Sequence, residues 1–223
     1  MAVSSELQRA PGAASAHAGR MAAAGSAGHP YAQDLATPVG GLTGPRDLDD
    51  MVHLMTALYG RAPGPIDLAL LRAPTGPVRT FLAAAADAFE RERLFLLRLA
   101  AAVGPVPSTP GQAETQSAML AQRHALETLA RSERHGCALG TATALVSDWR
   151  NIRLLLELTA RRVGCAVPAC SLPDEHAIAD VLGEAASAPG PERAIRFGAE
   201  QLLLQHRALF DLLEARSDAR EDF

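Results

Sequence analysis

Between Val78 and Val103 the chain reads VRTFLAAAADAFERERLFLLRLAAAV, and this stretch constrains the fold more than any other. Val78, Phe81, Ala85, Ala88, Phe89, Phe95, Leu96, Leu99 and Val103 recur at three- and four-residue spacing, as on one buried face of a long amphipathic helix. Glu92 interrupts that face. It stands three residues after Phe89, three before Phe95 and four before Leu96, so its carboxylate points at the core. The pattern predicts that the rest of the chain covers this helix, and it makes the partner of Glu92 the first question about function.

The remaining segments predict helices and no strands. Residues 1–28, rich in Ala, Gly and Ser without apolar periodicity, read as a disordered tail, with Met21 as an alternative start. Glu6, Gln8 and Arg9 stand where a signal peptide would need its apolar run, so none is expected. Residues 29–223 read as one domain. A loop around Pro38, Gly40, Gly41 and Gly44 leads to a helix over Pro45–Tyr59, opened by its proline and by Asp47, Asp49 and Asp50 at the positive end. A short helix over Ile66–Arg72 follows, then Thr75 as the expected cap of the long Val78 helix and Gly104-Pro105 as its stop.

The run from Ala113 to Val163 would make a rod about 75 Å long if unbroken. A compact domain of this length has a radius of gyration of only about 17 Å. The apolar stripe also changes phase, from Met119, Leu126, Leu129 and Ala130 to Leu145, Trp149, Ile152 and Leu156. Both facts predict a break near His135-Gly136 and two helices, Ala113–Arg134 and Cys137–Val163. A short helix over Pro173–Ala186 behind Ser171 and a long one over Pro191–Arg216 complete the chain. The expected fold is all-α: an antiparallel four-helix-bundle core with two short N-terminal helices, one short extra helix and the tail.

Composition removes several function classes. The net charge is -4 with no basic stripe and 4% aromatics, so no nucleic-acid partner is expected. No apolar run reaches membrane-spanning length. Cys137, Cys165 and Cys170 are odd in number and form no CxxC pair, which predicts a reducing cytoplasm. There is no GxxxxGK[ST] loop, GxSxG elbow, HExxH helix or zinc spacing.

What remains is positional. His206 sits at the centre of the last helix's apolar face, among Ala199, Leu202, Leu203, Leu209, Phe210 and Leu213. Glu133 continues the stripe of Leu126, Leu129 and Ala130, and Asp148 borders that of Thr141, Leu145, Ile152 and Leu155. With Glu92, each long helix carries one inward acid or imidazole. Inward groups on facing helices build metal sites in bundles, so Glu92, Glu133, Asp148 and His206 are the candidate ligands for iron or manganese. The competing reading is a set of buried pairs that fix helix register, such as Glu92 with His206 or with a neighbouring arginine. Asp50 and His53 read as a solvated pair, Arg153/Glu157 and Arg207/Asp211 as outer-face pairs, and His17 and His29 as parts of the tail region.

The segments PSTPGQ (107–112), HALETLARSERHGCALG (124–140), SDWR (147–150) and FGAEQLLLQHRALFDLLEAR (197–216) resemble an uncharacterised family of bacterial helical proteins, a domain of unknown function. That resemblance implies no activity and no site residues. In outline the chain is also similar to ferritin-like proteins, which implies a bundle with inward acids and a di-metal site. Their Glu-x-x-His motif is absent here: Phe95, Gly136 and Leu203 stand at that offset from Glu92, Glu133 and Glu200.

Two function classes follow. The leading one is a non-catalytic binding or regulatory module that takes a protein partner, a second copy or a small apolar ligand. The alternative is a metal-dependent oxidoreductase or metal-binding protein using the four candidate ligands.

Overall fold

The computed structural model describes residues 12–37 and 44–222, and among them every regular element is helical. The helices are α1 (Ala13–Ala24), α2 (Pro30–Ala36), α3 (Pro45–Tyr59), α4 (Pro65–Arg72), α5 (Pro77–Val103), α6 (Gln112–Ala130), α7 (Cys137–Val163), α8 (Glu175–Ala185) and α9 (Pro189–Glu221), with a 3₁₀ turn over Ser26–Gly28. The predicted break is real. Gly136, in the left-handed region at φ +100°, opens α7. The loop expected around Pro38, Gly40 and Gly41 lies outside the described residues, as do residues 1–11 of the expected tail.

The tail reading fails from residue 12 onward. Ala13–Ala24 is a helix that buries His17, and the turn and α2 behind it bury Ser26, His29, Tyr31, Ala32 and Leu35. Two caps also differ. Gly76 rather than Thr75 precedes α5, without a side-chain bond, and Asp174 rather than Ser171 caps α8 by accepting the Ala177 N–H at 2.8 Å.

The centre of the molecule is α7 rather than α5. It is packed by α1 to α6 and by α9, and from Leu139 to Trp149 every residue is buried. A helix buried on all sides has no polar face for periodicity to find. Its hydroxyls are satisfied locally: Thr143 donates to the Leu139 carbonyl at 3.0 Å and Thr159 to that of Leu155 at 2.9 Å. The tightest packing is between α7 and α9. A methyl at Gly140 would stand 2.0 Å from the Ile195 carbonyl oxygen, and one at Gly198 would stand 2.1 Å from that of Cys137, so the backbones meet without intervening side chains.

From the end of α7 the chain returns along that helix as an irregular strap over residues 165–174. Arg153 donates to the Pro168 carbonyl, and Arg150 donates to those of Leu172 and Pro173. All three cysteines are free: Cys137 is buried, while Cys165 and Cys170 lie on the strap, half-buried and exposed respectively.

Candidate functional site

Among the described residues, three buried polar clusters and a cleft at the end of the fold are the candidates. The first cluster is centred on His206, which α9 delivers to the interior among Leu202, Leu203, Leu209 and Phe210. Its Nδ1–H donates to Asp148 Oδ2 at 2.6 Å, because a carboxylate can only accept. Nε2 lies 2.5 Å from the Tyr59 hydroxyl, which donates to a neutral ring and accepts from a protonated one. Ser26 completes the chain: its N–H and its hydroxyl donate to Asp148 Oδ1 at 2.8 and 3.0 Å. One relay thus joins α3, α9, α7 and the 3₁₀ turn, and none of Tyr59, His206 and Asp148 is more than 1% exposed.

Burial pushes the Asp148 carboxyl up, but the bond and charge of His206 and the two bonds from Ser26 outweigh it and hold it below the usual range. Burial, and then the charge of Asp148, drive the Tyr59 phenol well above its ordinary value. Tyr59 therefore keeps its proton. The order carboxylate–imidazole–hydroxyl is that of an activated nucleophile, yet Tyr59 is walled in by Phe89 and Trp149, with ring centroids 5.9 and 5.3 Å away. The hollow bordering Tyr59 holds about 10 Å³, no more than one water.

The second cluster answers the question of Glu92, which is fully buried. One carboxylate oxygen accepts the Trp149 indole N–H at 3.1 Å and the other pairs with Arg153. Arg153 is itself buried and also bonds Glu157 at 2.9 Å, so it does not belong to an outer-face pair. Burial would lower the Arg153 pKa, but the charge and hydrogen bonds of Glu92 and the bond to Glu157 raise it.

The third cluster corrects the reading of Asp50. Its carboxylate is fully buried and grips Arg216 in a fork of 2.7 and 2.9 Å, with Arg220 added at 2.6 Å. Arg220 also binds Asp47 at 2.5 Å, and Thr109 and Thr115 accept from the two guanidiniums. The last turns of α9 are thereby locked to α3. His53 is half-buried, with no hydrogen-bond partner at Nε2.

The four expected ligands do not converge. Asp148 and His206 meet each other, Glu92 meets Arg153 and Trp149, and Glu133 is exposed beyond the end of α6. Among the described residues no three His, Cys, Asp or Glu side chains form a metal-holding group. The donor atoms do not fit iron or manganese either, since both nitrogens of His206 and both oxygens of Glu92 already have protein partners.

Glu133 lies instead on a cleft of about 570 Å³. Pro77, Val78 and Leu82 of α5 form one wall, Ala69 and Arg72 of α4 another, and the 132–139 turn and the end of α8 the rest. Its charges are Arg72, Glu133, Arg134 and Glu184, over an apolar floor that includes Leu82, Ala138 and Leu139.

Sequence reasoning missed Tyr59, Ser26, Arg153 and the Arg216–Arg220 lock. A signal existed for Tyr59: a buried tyrosine hydroxyl needs a partner, and its place on the apolar side of α3 demanded one. Nothing in the sequence marked Ser26.

These features define an all-helical protein, over the described residues, with a buried polar interior and an open end cleft. The chain belongs to DUF6975, a family of unknown function, whose profile matches residues 21–221. No curated protein and no solved structure matches it. The matched span includes Ser26, Tyr59, Glu92, Glu133, Asp148 and His206.

Proposed function

We propose that the protein is a non-catalytic binding module and that its ligand enters the end cleft. The observation that carries this is a contrast in access. The Tyr59–His206–Asp148 relay and the Glu92–Arg153 pair have no room for a substrate, whereas the cleft, about 570 Å³, falls in the range of about 300–1,000 Å³ typical of small-molecule sites. Its apolar floor and charges of both signs suit a small molecule with an apolar body and polar ends. In this reading α5, α6, α7 and α9 are the antiparallel four-helix core of ferritin-like outline, and the interior clusters hold its helices in register.

The reading includes a reducing cytoplasmic location, supported by three free cysteines. It excludes nucleic acid, on the net charge of -4, and membranes, since no helix among the described residues is long and apolar enough to cross one. The test is methyl-detected NMR with a library of aromatic acids and amines. Shifts concentrated on Ala69, Val78, Leu82 and Ala138, and abolished by Ala138→Trp, support the assignment. Shifts scattered over the surface, or a second copy or protein partner covering the cleft, refute a small-molecule ligand.

A further inference from the structure

We propose that residues 12–37 form a clasp that opens as a unit in acid, and that protonation of His17 opens it and bares the Asp148 end of the interior relay. The argument begins with what holds α1. Its sequence, AASAHAGRMAAA, offers little apolar surface, and the one residue it buries is His17, 1% exposed. His17 Nε2 lies 3.2 Å from Ser147 Oγ on α7, and Ser147 in turn donates to Glu175 of α8 at 3.3 Å. The ring nitrogen Nδ1 is buried with no partner.

A neutral ring fits this pocket, with Nε2–H given to Ser147 and Nδ1 a bare lone pair. A protonated ring must put an N–H at Nδ1, where nothing accepts it. The charged groups around it give no relief. Arg20, on the same helix, repels a cation, and Glu192, Arg196 and Glu200 of α9 act on Arg20. No carboxylate bonds His17 directly, since Glu175 is reached only through Ser147. Burial and Arg20 accordingly lower the His17 pKa to about 4.

The rest of the segment is held by polar anchors and by the buried side chains of Tyr31, Ala32 and Leu35. His29 donates to Asp211 at 2.9 Å, a carboxylate that is 69% exposed, and Ser26 caps Asp148. Hollows flank the segment on both sides, about 340 Å³ between α1 and the start of α9 and about 150 Å³ between α2 and α7. Its N-terminal half, α1, has little buried apolar surface and is anchored by polar groups at the rim, so the segment opens from that end below the free energy of global unfolding. Opening removes both Ser26 bonds from Asp148.

The sign of the pH effect follows. The closed form binds the proton with a pKa near 4 and the open form near 6.5, so closure weakens as pH falls through that window. Between pH 7 and pH 4 the closed-to-open ratio falls on the order of 100-fold.

Hydrogen exchange of the whole protein from pH 7 to pH 4, corrected for intrinsic rates, tests this. Amides of α1 and α2 lose protection on the order of 100-fold relative to those of α5, and His17→Leu flattens the difference. Loss of protection in α1 and α5 together, or an undiminished pH dependence in His17→Leu, overturns the proposal. Should His17→Leu fail to seat α1, the wild-type ring decides by NMR. A His17 midpoint near 4 that coincides with the opening of α1 supports the proposal. A ring that titrates near 6.5 while α1 stays protected refutes it.

Discussion

Glu92 and Arg153 show how costly a half-removed pair is in a dry interior. Glu92→Leu leaves the buried guanidinium without its main partner, and the expected loss is about 3–5 kcal/mol in urea unfolding. The double variant Glu92→Leu/Arg153→Met removes both charges and should cost far less than the sum. Trp149, the sole tryptophan and a donor to Glu92, reports both through its fluorescence. Tyr59→Phe leaves His206 Nε2 without a hydrogen-bond partner and should cost about 1–3 kcal/mol. Asp148 carries a pH dependence. Its folded pKa is depressed, so its stabilisation is present at neutral pH and is lost as pH falls below about 4, through the folded value. In Asp148→Asn that part of the acid limb of the stability curve disappears.

Among the elements, α7 and α9 are joined by absence of side chain. Gly140→Ala and Gly198→Ala each drive a methyl into carbonyl oxygen of the facing helix and should cost about 3 kcal/mol or more. Gly183→Ala is the control, since open space surrounds it in α8, and it should stabilise by about 0.4–1 kcal/mol. Thermal midpoints distinguish the two outcomes. The break at Gly136 was legible because a rod of that length cannot fit and its apolar stripe changes phase. The central role of α7 was not, because Thr141, Thr143, Ser147 and Asp148 are polar letters in a stretch, 139–149, that is buried on every side. Nor was α1, whose Ala-rich surface is held by a histidine rather than by an apolar stripe. The inward direction of Glu92, Asp148 and His206 could be read from spacing. Which acid meets which base could not, because spacing fixes a face and leaves the neighbour open.

For the molecule as a whole, the last turns of α9 are bound to α3, far back along the chain. Deleting residues 216–223 removes Arg216 and Arg220 and leaves Asp50 buried without a counter-charge. The expected loss of unfolding free energy, read in urea, is about 3–5 kcal/mol, well beyond ordinary fraying of a helix terminus. The late position of α7 along the chain has a further consequence during synthesis. The ribosome releases α3, α4, α5 and α6 before the helix they enclose exists, and α9, which supplies His206, follows later still. Until α7 is made the nascent polypeptide therefore carries sticky, unmatched surfaces, so its yield in a cell should depend on holdase chaperones more than its finished stability suggests.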